Sequence, residues 1–187
     1  MTDAVPLPAS DFAHAVSRGH SSTADALSLF DALSAVPLES MLGRWSGAGF
    51  PTGHWLDGLL EASGWSGKRF DSTEQVHPLE FATGTRNPLR LRATGAPLAL
   101  SLLRRFPRLR AAAAGGLGRA ALPLLATTRS QARLRTLVFR GVPSAAMLYD
   151  SAPIIDVFRG VDADTVLGLM DMKGMDQPFF FVLRRAG

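Results

Sequence analysis

In the last third of the chain, short runs of apolar residues alternate with polar ones, a pattern typical of β-strands. Leu134, Thr136 and Val138 share one register, and further runs follow at residues 145–149, 153–159, 165–172 and 179–185. Turn signals separate these runs and no long helix intervenes. The pattern predicts an antiparallel meander that closes into a barrel or packs as a sandwich, and we favour the barrel.

The first half of the chain alternates between helical and extended patterns. Apolar residues recur at three-residue steps over residues 22–36, which predicts an amphipathic helix that starts at a Ser or Thr cap and ends at Pro37. Residues 42–50 have glycine at positions 43, 47 and 49, which predicts a strand whose glycines allow close packing. Helical turns are predicted at residues 55–62, and an extended segment at residues 68–70.

A length of 187 residues predicts a single domain. Residues 1–21 are predicted to form a flexible leader, and residues 22–187 the barrel domain. Within that domain, residues 97–128 are rich in Ala, Leu, Arg and Gly and predict a basic, partly helical insertion between residues 40–96 and residues 129–187.

The charge of the chain is distributed unevenly. The segment between Phe81 and Tyr149 has twelve arginines and neither Asp nor Glu, so it carries +12 while the remainder carries −8. Such a field favours an anionic partner, either a lipid surface, a nucleic acid or an acidic protein. Few aromatic residues lie between these arginines, which argues against a site where the bases of single-stranded nucleic acid stack on aromatic side chains. The predicted membrane-surface residues are Arg104, Arg105, Arg108 and Arg110.

Several kinds of site and segment are excluded by the sequence. There is no Cys, the four histidines lack the spacing of a helical zinc pair, and the glycine-rich segments match neither a P-loop nor a dinucleotide fingerprint. We therefore expect no metal and no cofactor. The longest stretch without charged residues, 45–56, is shorter than the roughly 20 residues of a membrane-spanning helix. The N-terminus lacks the features of a secretory signal, so a cytoplasmic protein is expected.

Acidic residues near the predicted turns are the candidates for acid–base chemistry. They are Asp150, Asp156, Asp171 and Asp176. Aspartate is common at turns because its carboxylate accepts backbone N–H bonds there. We therefore expect Asp150 and Asp156 to be structural, and we predict no catalytic residue.

The segment from Gly43 to Gly47 reads Gly-Arg-Trp-Ser-Gly. On a strand, side chains alternate between faces, so Gly43, Trp45 and Gly47 share one face. A Trp between two glycines has room to lie over neighbouring backbone. We expect Trp45 to be buried inside the barrel, and we expect Gly43→Val to be damaging through steric overlap.

This segment resembles the signature of the GXWXG family of bacterial proteins. Residues 67–70, 149–150, 153–159, 166–174 and 179–181 resemble the rest of that family, whose second half is a domain of unknown function. The resemblance implies one β-barrel built by both halves, similar to pleckstrin-homology-like or lipocalin-like barrels, with phospholipid as the proposed ligand. The predicted ligand-binding residues in or beside these segments are Lys68, Arg69, Phe70, Tyr149, Met170 and Lys173.

The resemblance and the charge pattern together predict a non-enzymatic protein that binds lipid. The expected partners are a phospholipid or fatty-acid-like ligand and, peripherally, an anionic membrane. Each basic residue near such a membrane contributes roughly 1 kcal/mol to the binding free energy. The alternative is an enzyme, a hydrolase or isomerase, on a lipocalin-like barrel. It would use Asp150, Asp156 or His54 in the cavity.

Overall fold

The computed structural model of the chain describes residues 8–83, 88–94 and 96–187, and within them most strands belong to one antiparallel barrel. The strands are β1 Ser34–Ala35, β2 Gly43–Gly49, β3 Trp65–Phe70, β4 Val76–Phe81, β5 Leu89–Arg90, β6 Ala132–Phe139, β7 Val142–Tyr149, β8 Ile154–Gly160, β9 Thr165–Met172 and β10 Phe179–Arg185. The α-helices are α1 Pro8–Arg18, α2 Thr23–Ala32, α3 Leu59–Ser63, α4 Ala96–Arg105, α5 Pro107–Ala114 and α6 Gly116–Ala121.

The barrel is closed by pairing between strands that are distant in sequence. Its order is β8-β7-β6-β4-β3-β2-β10-β9, and β9 pairs back to β8, so eight strands of the described chain form a ring. The short strands β1 and β5 add to β8 and β4. The ring is least complete between β4 and β6, which in the described chain meet through the single pair Val76 and Ala132. The predicted antiparallel barrel is thus confirmed.

Two apolar clusters lie on the two faces of the barrel wall. The inner cluster includes Trp45, Phe158 and Phe181, and the outer cluster packs helices α1 and α2 against β8–β10. Successive residues of β10 therefore alternate between clusters, with Phe180 in the outer one. Because helices cover the outer face, β9 and β10 are apolar on both sides, as their long apolar runs require.

The signature strand packs as its alternation predicts. Trp45 is 1% exposed in the inner cluster, and its Nε1 donates a hydrogen bond of 2.8 Å to the carbonyl of Met41. A Cβ at Gly47 would overlap the ring of Trp65. Gly43 differs from our expectation. A Cβ there would make only an ordinary contact, 3.7 Å from Nη1 of Arg185, so a side chain would be strained by the φ of +109° rather than by overlap.

The N-terminal region is more ordered than expected. Helix α1 replaces most of the predicted flexible leader, because Phe12 and Ala15 lie one helical turn apart and are buried against the neighbouring elements. Residues 1–7 of that leader lie outside the described residues. Helix α2 has the predicted cap at Ser22, which accepts the N–H of Asp25, but ends before Pro37 because β1 pairs with β8.

The insertion is more helical than its glycines suggested. Helices α4, α5 and α6 and a 3₁₀ turn at Leu122–Leu125 follow one another with little intervening chain. Pro107 starts α5 rather than breaking a helix, because the first turn needs no N–H from that residue. None of the helices in the described part of the chain is long and apolar enough to span a membrane.

We expect Trp45→Ala to lower the free energy of unfolding by about 3–5 kcal/mol, the range for deleting a large buried aromatic side chain. Urea unfolding followed by circular dichroism measures this loss. Val138→Thr is the matched control, since Val138 is 66% exposed on β6 and the change keeps a β-branched side chain. Equal midpoints for the two variants would contradict the core role of Trp45.

Candidate functional site

A cavity of about 470 Å³ lies between the barrel interior and the helical insertion. This volume is within the range of small-molecule sites, roughly 300–1,000 Å³. Its wall is largely apolar, and α3, α4 and the 3₁₀ turn form one side of it while β3, β4 and β7–β10 form the other. The lining side chains include Leu59, Leu60, Trp65, Leu79, Phe81, Leu100, Leu103, Leu122, Leu125, Ile154, Met170, Phe179 and Phe181. We call this space the barrel cavity.

A buried ion pair interrupts the apolar wall. Nζ of Lys68 lies 2.8 Å from Oδ2 of Asp156, and the two residues are 3% and 1% exposed. The same Nζ donates to the carbonyl of Pro78 at 3.3 Å. Within the described chain, Oδ1 of Asp156 has no hydrogen-bond partner. The ion pair is therefore a buried polar group in the wall of the barrel cavity, and Oδ1 of Asp156 is an acceptor without a hydrogen-bond partner among the described residues.

Aromatic rings surround the ammonium group of Lys68. Its Nζ lies 4.9 Å from the ring centroid of Phe181, 5.6 Å from that of Trp65 and 5.9 Å from that of Tyr149. A cation within about 6 Å of an aromatic face is attracted by the ring quadrupole. These rings, together with Asp156, compensate part of the loss of hydration that burial imposes on Lys68.

The acidic groups of the barrel cavity hold their protons more tightly than usual. Burial raises the pKa of Asp156, and the positive charge of Lys68 acts in the opposite direction. Burial and the nearby Asp156 carboxylate raise the pKa of the Tyr149 hydroxyl well above its ordinary value. Tyr149 therefore stays a neutral donor at physiological pH.

A basic depression adjoins the barrel cavity and shares Arg92 and Thr94 with it. We call it the basic basin. Its lining is mixed, and the polar residues in it include Arg90, Arg129 and Gln131. Arg90 is held in place, since its Nε donates to Glu80 at 3.2 Å and its Nη1 lies 3.1 Å from Nε2 of His77. The exposed side chains of Arg92 and Arg129 therefore supply positive charge beside the apolar space.

The six predicted ligand-binding residues separate into two groups. Lys68, Tyr149 and Met170 line the barrel cavity. Arg69 lies on the outside, where its Nε donates to Asp71 at 2.6 Å, and Phe70 belongs to the inner cluster. Lys173 is exposed beyond the end of β9.

The predicted membrane-surface arginines have different environments. Arg104 forms an ion pair with Asp176, and Nη1 of Arg110 donates to the carbonyl of Trp55 at 3.0 Å. Arg105 and Arg108 are exposed. Arg86, which contributes to the predicted charge of the middle segment, lies outside the described residues.

The expectation that Asp156 fixes a turn is wrong. Asp156 lies within β8 and faces the barrel cavity. The signal available in the sequence was a single carboxylate among apolar residues of a strand, flanked by Ile155 and Val157. Asp150 does lie at the end of a strand, exposed, with Oδ1 3.7 Å from Nη1 of Arg133.

His54 is buried beside the barrel cavity. Its Nδ1 accepts the N–H of Leu56 at 3.1 Å, and its ring packs 5.5 Å from that of Phe179. Burial lowers its pKa, so the ring is neutral at physiological pH. Across residues 8–83, 88–94 and 96–187, no group of three His, Asp or Glu side chains could hold a metal ion.

Comparison with known proteins assigns the chain to a family. The model of the GXWXG protein family matches residues 28–85. A domain of unknown function, DUF4334, matches residues 130–185. The chain belongs to the GXWXG family. In this GXWXG protein, Lys68 lies in the first matched segment and Asp156 in the second, so the buried ion pair joins the two.

A solved structure supports the same architecture. The crystal structure of a protein from Thermomonospora curvata is 30% identical in sequence, and the match covers 96% of this chain and 99% of that one with a TM-score of 0.70. Among proteins with curated functions, none matches this GXWXG protein. The solved structure therefore supports the barrel architecture of this chain.

We expect Lys68→Met to lower the free energy of unfolding by about 3–5 kcal/mol, because it leaves the Asp156 carboxyl buried without its counter-charge. The double variant Lys68→Met/Asp156→Leu should recover most of that loss, since apolar pairs often replace buried ion pairs without penalty. Urea unfolding of both variants measures the difference. Equal losses in the single and double variants would contradict this account of the ion pair.

Proposed function

We propose that this protein binds an amphiphilic, lipid-like molecule without transforming it. The apolar part occupies the barrel cavity and an anionic headgroup lies in the basic basin, near Arg92 and Arg129. The observation that carries the proposal is the contact between the two spaces, which share Arg92 and Thr94. An apolar space that opens on a cationic rim matches the two ends of a phospholipid or fatty acid.

The energetics favour an acyl chain as the apolar part. Each buried methylene contributes about 0.8 kcal/mol relative to water. Ordering the ligand opposes this gain, so only a chain of several methylenes binds tightly. The headgroup adds attraction to Arg92 that is screened by salt, since the side chain is exposed.

A substitution that fills the barrel cavity tests this proposal. Leu100 on α4 lines the barrel cavity and is half-buried, so Leu100→Trp should weaken binding of a fluorescent fatty acid about tenfold or more. Leu98→Trp is the matched control, because Leu98 lies two residues away on the same helix and is 67% exposed. Titration of both variants measures the difference. Equal affinities would contradict binding in the barrel cavity.

We propose further that helices α4 and α5 contact an anionic membrane. Four apolar side chains are exposed here: Leu98 and Leu102, one turn apart on α4, Phe106 between the two helices, and Leu109 on α5. The exposed Arg105 and Arg108 lie among them in the sequence. Such a surface inserts apolar side chains while its arginines meet lipid headgroups. The other side of α4 lines the barrel cavity, so the membrane and the proposed ligand would contact the same helix. The expected cytoplasmic localisation stays a prediction.

We expect the protein to float with phosphatidylglycerol vesicles at low salt and less so at high salt, because the charges on this surface are screened. Leu102→Ser/Phe106→Ser should reduce flotation several-fold at both salt concentrations. Val138→Ser, an exposed apolar position on β6, is the control and should leave flotation unchanged. Equal flotation with neutral vesicles would contradict the electrostatic part, and an equal effect of the control would contradict the apolar part.

A specific observation favours the alternative function, an isomerase-type enzyme. Asp156 is a buried carboxyl with a raised pKa in an apolar space, beside the neutral donor Tyr149, and such a pair can move a proton next to a carbonyl group. Incubation of the bound ligand in D₂O, followed by mass spectrometry, discriminates the two functions. A binding protein returns its ligand without deuterium on carbon.

A further inference from the structure

The unused acceptor in the barrel cavity limits what the ligand can be. Asp156 is 1% exposed, lines the barrel cavity, and its Oδ1 has no hydrogen-bond partner among the described residues. Leaving a buried polar atom without a partner is costly, and more so for a charged group. The stability of the barrel does not require the Lys68–Asp156 ion pair, because a pair of apolar side chains could fill the same place.

We infer that the ligand carries a hydroxyl group on its apolar part, and that this hydroxyl donates a hydrogen bond to Oδ1 of Asp156. The inference rests on the proposed function and adds to it the chemical class of the bound chain. A plain acyl chain would pack against the ion pair and leave Oδ1 without a partner. A hydroxylated chain satisfies that acceptor and keeps the rest of its length in apolar surroundings.

Other polar groups fit this position less well. A ligand carboxylate would meet the negative Asp156, and a ligand ammonium would meet Lys68, whose Nζ is 2.8 Å from Asp156 Oδ2. A ketone or ester oxygen only accepts hydrogen bonds and cannot satisfy Oδ1. A hydroxyl is neutral and donates to Oδ1, while its oxygen can accept from a neighbouring donor such as Tyr149, which lines the same space.

The orientation of the ligand follows from the positions of the charged groups. The exposed Arg92 and Arg129 line the basic basin, whereas Lys68 and Asp156 are buried in the barrel cavity. The anionic headgroup and the hydroxyl therefore bind at different places on the protein. We expect binding to depend on the distance between those two groups along the chain.

The test compares stearic acid with hydroxystearic acids that carry the hydroxyl at successive carbons, each displacing a fluorescent fatty acid from the wild-type protein. One or a few positions should bind about tenfold or more tightly than stearic acid, the effect of one hydrogen bond to a charged group. Equal or weaker binding at every position overturns the inference and leaves the proposed function standing. Failure of all the acids to displace the probe overturns both.

Variants assign the preference to the ion pair. In Lys68→Met/Asp156→Leu the preference for a hydroxyl should disappear while stearic acid binds at least as tightly as before. Arg140→Met/Asp31→Leu is the matched control, because it removes an ion pair of 2.6 Å whose half-exposed side chains lie outside the barrel cavity. Persistence of the preference in Lys68→Met/Asp156→Leu overturns the assignment to Asp156. If Lys68→Met/Asp156→Leu does not fold, the wild-type series still decides whether the hydroxyl is recognised.

Discussion

The pairing of β10 with β2 is the constraint on which the rest of the structure depends. It joins the last strand of the chain to the signature strand, with Leu183 opposite Gly47 and Arg185 opposite Trp45. The first matched segment supplies β2–β4 and the second supplies β6–β10, and the ring of this fold contains strands from both. At Gly47, opposite Leu183, the Trp65 ring fills the place where a side chain would stand, so this position of the pairing requires glycine.

The buried ion pair is a product of that union. Lys68 comes from β3 and Asp156 from β8, and these strands lie on different parts of the ring. Within either half alone, the charge would lack its partner and would face water instead. Formation of the complete barrel thus brings the two charges together and removes them from solvent in the same step. The buried ion pair therefore depends on the whole fold.

The sequence predicted the elements whose pattern is regular and missed those whose role depends on a partner. The strands from β6 to β10 and the burial of Trp45 follow from period-two alternation, which burial of one face imposes. Strand β4 was missed because it contains two polar residues that are nevertheless buried, His77 and Glu80, and because register shifts between β3 and β4 remove a regular alternation. Asp156 was assigned to a turn because its partner, Lys68, is far away in sequence.

The two sides of the barrel wall differ in how firmly they are held. Helices α1 and α2 cover β9 and β10 from outside, whereas in the described chain β4 meets β6 through the single pair Val76 and Ala132. Local opening follows the region with fewest buried contacts and fewest ladder bonds. The basic basin, lined by Gln131 next to that pair, lies at this seam. The weakest pairing in the described barrel wall therefore lies beside the basic basin, where the headgroup of the proposed ligand would bind.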